Sequence, residues 1–305
     1  MLTSGELESA GESAHAAESS KIIYTANLTL ESKDYDAARA ALDAAALESK
    51  LEAEAVDVTI PGKPVEMGHQ HPMNRVLQEV KEIFIGMGYQ IVDGPEIEEA
   101  AYNFTKLNIE EGHPSRDRSD TFYFDEDSRV MLRSQTSPMQ VRVMENTKPP
   151  ICILAPGRVY RNETTDARHE RAFFQYEALI VDKDFTFASG KVMIKSILSK
   201  VFGRDVPVRM RAGFFPFVEP GFEIDMGCLV CGGKGCSVCK HVGWIEIMPG
   251  GTPHPNVLRS AGLDPDEYTG FYVNIGLDRL VMMRYGVDDV RMFHSADLRF
   301  LEQFR

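Results

Sequence analysis

The sequence predicts an α+β domain built on a mainly antiparallel sheet flanked by helices, preceded by an acidic leader and carrying a small cysteine knuckle as an insertion. Three observations lead there. Short apolar runs punctuated by turns follow one another from Thr121 to Met248 with few helical intervals, which disfavours alternating βαβ units. Apolar residues recur at helical spacing just before those runs, and four of the five cysteines crowd between Cys228 and Cys239. With 305 residues, 43% hydrophobic and 26% charged, the chain can bury a sizeable core. No stretch approaches the roughly 20 apolar residues of a membrane span, so no membrane partner is expected. Residues 1–20 hold four glutamates and neither lysine nor arginine, the opposite of a secretory signal, and the expected location is cytoplasmic.

In chain order, residues 1–70 read as leader, short helix and linker, and residues 71–305 as the main domain. The leader is rich in Ser, Glu and Ala, with a strand-like run from Lys21 to Leu30. Ser32 stands as an N-cap for an Ala-rich helix reaching about Ala55, whose stripe (Tyr35, Ala38, Leu42, Leu47, Leu51) suits a docking helix or a coiled-coil fragment better than a core. Pro61, Gly62, Pro64 and Gly68 mark the linker. After His71-Pro72, the series Met73, Val76, Leu77, Val80, Ile83, Phe84 and Met87 predicts an amphipathic helix ended by Gly86 and Gly88. Strands are expected over 121–124, 130–133, 151–155, 159–161, 173–181, 208–211 and 244–248, and helices over 189–202 and 276–285. Up to Glu66 there are thirteen acidic and five basic residues, so most of the net charge of −13 sits in the leader and the main domain is nearly balanced.

Two segments hold more charged and aromatic residues than a sheet needs. Arg161-Asn162-Glu163 is followed by His169 and by Phe173-Phe174-Gln175-Tyr176-Glu177, a strand, a polar turn and a returning strand whose alternate side chains share a face. Further on, Gly276-Leu277-Asp278-Arg279 places a glycine before a helix with an early arginine. Singly, each is explained by a cross-strand surface pair or a solvated helix residue. Together, in order and spacing, they resemble the second and third signature motifs of class II aminoacyl-tRNA synthetases, the helix from Met73 with Gly94-Pro95 supplying the first. The segments GPEIEEAAYNFTKLNIEEGHPSRDRSDTFYF, LRSQTSP, PGRVYRNETTDARHERAFFQYEALIVD, FFPFVEPGFEID, HPNVL and DLRFLEQF extend that resemblance to the bacterial phenylalanyl-tRNA synthetase alpha subunits over residues 69–305.

The resemblance implies the class II catalytic fold, with ATP and L-phenylalanine as substrates, Mg2+ as cofactor, tRNA(Phe) as acceptor through its terminal adenosine, and a beta subunit as partner in a heterotetramer. Joining a carboxylate to an α-phosphate brings two anions together, which fixed arginines and a magnesium ion offset. It gives Arg161 to the α-phosphate and carboxylate, Glu163 to the adenine amino group, Phe173 to stacking on adenine, His169 and Arg279 to the departing phosphates, and Glu219 to magnesium. Arg161 and Arg279 are thus the candidate catalytic residues. Ser137, Gln175 and Glu177 match positions around the ammonium group. Phe215, Phe217, Val218 and position 272 match the side-chain pocket, where aromatic edges and faces suit a phenyl ring.

The departures fall in that pocket. GFYVNIGLDR stands where most relatives have GFAFGMGxER, so Tyr272 replaces an alanine and Asn274 a glycine; Gln135 and Phe174 each stand for a histidine. Tyr272 fills space that a substrate ring needs, so either the local backbone has moved, or the tyrosine turns aside or closes the pocket beyond the para position, or the amino acid is not phenylalanine. A paralogous ligase with another amino acid or acceptor, and a catalytically silent regulatory subunit, are therefore weighed beside the first reading. Separately, Cys228-x2-Cys231-x4-Cys236-x2-Cys239 offers four thiolates with glycines for the reversal, the pattern of a structural Zn2+ site, whereas a redox dithiol needs only one pair. Cys152, in an apolar run, reads as a core residue.

Overall fold

The computed structural model describes residues 35–59, 61–62, 68–236 and 239–304. The leader, the run Lys21–Leu30 and the Ser32 cap lie outside them. The chain divides into two units, Met1–Met67 and Gly68–Arg305. In the first, helix α1 (Tyr35–Ala53) carries exposed Leu42, Leu47 and Leu51 and two solvent-facing i,i+4 ion pairs, Arg39–Asp43 and Lys50–Glu54. Each pair adds only a few tenths of a kcal/mol.

The second unit is a seven-stranded sheet with helices on both faces. Helix α2 (Pro72–Ile85) leads into β1 (Gln90–Ile91); β2 (Ile97–Glu99) runs directly into α3 (Ala100–Asn103) and pairs with β3 (Val130–Leu132) apart from the main sheet. Then follow α4 (Pro138–Asn146), β4 (Ile151–Tyr160), β5 (Ala172–Asp182), α5 (Phe187–Phe202), β6 (Val208–Ala212), β7 (Val218–Gly227), β8 (Trp244–Pro253), α6 (Pro255–Ser260), β9 (Thr269–Gly276), α7 (Leu277–Tyr285) and α8 (Leu298–Leu301). The strand order is β1-β4-β5-β9-β8-β7-β6, with β1 parallel to β4 and every other neighbour antiparallel. Among the described residues no helix is long and apolar enough to cross a membrane.

Alternation along the central strands assigns the two faces. Tyr176, Ala178, Phe271, Val273 and Ile275 point to a core shared with α2, α5 and α7, through Val76, Phe84, Ile194, Leu198 and Leu280. Leu179, Val181 and Tyr272 point the other way, to a second core with Leu107, Val141, Met144 and Leu258. On that second face, one strand pitch along, lie Gln175, Glu177 and Asn274, all buried. The site therefore grows out of a core face at the place where β5 and β9 exchange apolar for polar residues.

The expected segments hold with three differences. The runs at 151–155 and 159–161 are one strand, β4. Residues 121–124 form no strand beyond a single bridge, Tyr123 to Met131. Strands β7 and β9, and the short helices α4 and α6, lie in segments read only by resemblance. Three helical turns start with His-Pro, and each histidine caps its turn: Nδ1 accepts from Met73 N (3.2 Å) at His71, from Ser115 N (3.2 Å) at His113 and from Asn256 N (3.0 Å) at His254.

Candidate active site

Strands β4, β5, β8 and β9 and the start of α7 wall a cleft of about 760 Å³. At one end, Arg161 leaves β4 where its backbone N–H still donates to Arg171 O (2.9 Å), so the 164–171 turn is tied back to the sheet. The Arg161 Nε donates to Ser134 O (3.3 Å), the guanidinium lies 5.1 Å from the Phe173 ring centroid, and Glu163 Oε1 is 3.9 Å away. Burial lowers the Arg161 pKa from its ordinary value, the mark of a cation poorly served by solvent and therefore receptive to an anion. His169 Nδ1 lies 3.0 Å from the Asp166 carboxylate, which that bond holds down at about 2. Across the cleft, Arg279 sits in the first turn of α7, its Nη1 donating to Glu246 O (3.3 Å). Thus Arg161, Glu163, His169, Phe173, Gln175 and Arg279 share one cavity wall.

The other end is apolar. The rings of Phe215 and Phe217 stack at 6.0 Å and 29°, and Tyr272 meets Phe217 edge-on at 5.3 Å and 74°. Tyr272 stays in regular β9 register, opposite Leu179 on one side and Gly251 on the other, so the backbone has not moved aside. A side chain at Gly250 would meet Tyr272 O at 2.8 Å, so glycine there lets β8 lie close against β9.

Glu177 lies beneath this end, only 1% exposed. Its Oε2 accepts from Ser137 Oγ (2.5 Å), Asn274 Nδ2 (3.1 Å) and Tyr272 Oη (3.2 Å), and its Oε1 from Gln140 Nε2. Four donors use up the lone-pair sites of two oxygens. Burial pushes Glu177 up to about 8, against a usual value of 4.5. A carboxyl raised in the folded state contributes stability that is complete below about pH 4.5 and is lost as pH rises through 8, a span on the order of a few kcal/mol. Between pH 6 and 9 the wild type is expected to lose more melting temperature than Glu177→Gln. Parallel pH profiles for the two proteins would show that Glu177 is not the buried titrating group.

Four expected site residues lie elsewhere. Ser137 and Glu177 do not line the cleft, because Tyr272 and Asn274, bulkier than the alanine and glycine of the family pattern, wall them off. Val218 is buried at the start of β7, in the second core. Glu219 turns away from Arg161 and Arg279 into a side cavity of about 550 Å³, where it pairs with His254 Nε2 at 3.1 Å; its position does not fit a magnesium ligand in the cleft. The exposed acid on the cleft wall beside Arg279 is Glu246, which sequence reading missed. Its strand was legible, but which face looked into a cleft depended on the sheet order.

In the insertion between β7 and β8, the four sulfurs lie within 4.8 Å of one another, with Cys228–Cys236, Cys231–Cys239 and Cys236–Cys239 all at 3.8 Å. That is too long for a disulfide and equals the edge of a tetrahedron with metal–sulfur bonds of about 2.3 Å, roughly 3.8 Å. Backbone N–H groups of Gly235, Cys236 and Gly243 donate to the sulfurs at 3.2, 3.1 and 3.2 Å, as thiolates require. The cluster can hold a metal. Cys152 packs on the first core instead, and burial pushes its thiol up to about 11.

This sheet, with its arginine-walled cleft, is the class II synthetase core. The family model for the tRNA synthetases class II core domain (F) matches residues 55–304, and the chain belongs to that family. Within it, the chain belongs with the phenylalanine-tRNA ligase alpha subunits. It is 50% identical over 257 residues to that of Caldanaerobacter subterraneus subsp. tengcongensis, covering 84% of this chain and 75% of the relative. To that of Alkaliphilus oremlandii it is 48% identical over 281 residues, covering 92% and 82%. Among solved structures, two of pyrrolysyl-tRNA synthetase from Desulfitobacterium hafniense share the fold. Their TM-scores are 0.58 and 0.57, at 17% and 14% identity, covering 90% and 99% of this chain and 86% and 92% of theirs.

Proposed function

We propose that this chain is the catalytic alpha subunit of a phenylalanine-tRNA ligase: it joins phenylalanine to the α-phosphate of ATP and passes the aminoacyl group to tRNA. The observation that supports this most is the meeting, in one cleft, of the Arg161, Phe173 and Arg279 end with the Phe215, Phe217 and Tyr272 end. In the first step a carboxylate oxygen bonds to the α-phosphorus, and pyrophosphate leaves with the electron pair of the bond it breaks. Charge gathers on the α-phosphate oxygens, where Arg161 is fixed by Phe173 and Ser134 O. Arg279 and His169 face the departing phosphates, Phe173 offers its ring to adenine, and Glu163 can accept from an exocyclic amino group. In the second step a ribose hydroxyl attacks the acyl carbon and AMP leaves. Bound magnesium supplies charge neutralisation on the phosphates, and Glu246 is the carboxylate placed to hold it. Amino-acid-dependent pyrophosphate exchange tests the reading, and exchange with no amino acid at all would defeat it.

A second reading, a paralogue with another amino acid, draws on one observation: Tyr272 occupies the floor of the apolar end with its hydroxyl bound to Glu177. The same exchange assay across the amino acids separates the two.

Partner and metal belong to the same proposal. The working enzyme is a heterotetramer with a beta subunit, so the chain purified alone is expected to charge tRNA poorly and to gain activity when co-purified with that subunit; full charging by the chain alone would refute this. The cysteine cluster holds one structural zinc. Metal analysis of unstripped protein should give about one equivalent, and Cys231→Ser should lower the melting temperature by several degrees, because metal binding contributes to folding. Well under one equivalent, or an unchanged melting curve, would count against the site.

A further inference from the structure

Phe214 is 88% exposed, the largest exposure among the apolar side chains of the second unit. It lies in the β6–β7 turn and lines two spaces at once, the activation cleft and the side cavity that also holds His113, Glu219 and His254. From this we propose that the side cavity seats the terminal base of the acceptor nucleic acid, with Phe214 as the ring on which that base stacks; this rests on the aminoacyl-transfer reading above.

The argument is one of reach and charge. Transfer requires the attacking ribose hydroxyl to come within bonding distance of the acyl carbon, which lies at the Phe215–Phe217 end of the cleft. The base on that same ribose must then lie within one nucleotide's length of those rings. Phe214 is the next residue along, and its ring is free to be covered. An aromatic face accepts any base by stacking, whereas no lysine or arginine lines the side cavity to receive a phosphate. Its rim instead carries Glu110, Glu111 and Glu219, acceptors that suit the exocyclic amino donor of adenine and repel the phosphate backbone. The floor is fixed: Asn108 donates to Pro216 O at 2.7 Å and accepts from Asn256 Nδ2 at 2.9 Å.

The test is a binding cycle on the assembled enzyme, using tRNA(Phe) transcript with and without its terminal adenosine, and wild type against Phe214→Ala. Removing the adenosine should weaken wild-type binding by roughly five- to a hundredfold, the range measured for stacking. The alanine variant should bind both transcripts alike, and Phe214→Tyr should restore the difference. Additive effects of the two changes, or no effect of either, would overturn the proposal. In parallel, Phe214→Ala should keep pyrophosphate exchange within about twofold while charging falls by the same factor as binding. Exchange falling together with charging would place Phe214 in the amino-acid pocket and overturn it too. Wild-type protein without exchange would defeat the parent reading, while the binding cycle still decides the base site.

Discussion

Replacing Arg161 with alanine should lower phenylalanine-dependent pyrophosphate exchange by about 10² to 10³, the usual loss when one preorganised donor at a developing charge is removed. The fold should be nearly untouched. The side chain is 40% exposed, its hydrogen bond is a single long one to Ser134 O, and its pair with Glu163 is open to solvent. A melting temperature within a few degrees of wild type is therefore expected beside the loss of rate. Arg161→Lys should recover only part of the rate, since an ammonium lacks the planar fork that both grips phosphate oxygens and lies over Phe173. The loss should appear in kcat more than in KM, because the charge it meets grows as the α-phosphorus is attacked. Exchange retained within a few fold would remove Arg161 from the reacting phosphate.

That Arg161 and Phe173 share a wall was legible in the sequence, because a polar turn between two alternating runs leaves few other outcomes. The register confirms it, with Val159 opposite Phe173 and Tyr160 opposite Ala172. Strand β4 was harder to read, since Pro156-Gly157 interrupts its apolar run and suggests a turn. A proline is tolerated there because β1 pairs only with Ile153 and Leu154, leaving the β4 edge unpaired at residue 156. Likewise, Glu219-Pro220-Gly221 hides the start of β7, where the register with β8 shifts between Val218 and Gly221.

Depth was the part the sequence could not convey. Alternation places Gln175 and Glu177 on one face of β5, and both are buried. Only the pairing of Glu177 with Asn274 and the length of Tyr272 decide that the first lines the cleft and the second lies sealed beneath it. The cysteine pattern was legible for the opposite reason: its four ligands come from one local reversal, so no long-range pairing intervenes.

Tyr272→Ala should have the largest effect on selectivity. The wild-type ring and hydroxyl close the apolar end, so para-chlorophenylalanine should be rejected, overpacking a close-packed site costing about 1 to 3 kcal/mol or roughly ten- to a hundredfold in exchange. Removing the ring should admit the analogue. It should also destabilise the protein by about 3 to 5 kcal/mol, the range for truncating a buried aromatic, because Phe217 loses its edge contact and Glu177 one of its donors. Tyr272→Phe separates the two roles: it deletes the hydrogen bond at 3.2 Å while keeping the ring, so it should cost about 1 kcal/mol and still exclude the analogue. If wild type uses para-chlorophenylalanine as readily as phenylalanine, Tyr272 does not close the pocket. If it prefers a smaller or polar amino acid, the tyrosine has instead changed what the pocket reads, and the hydroxyl on Glu177 is where that change began.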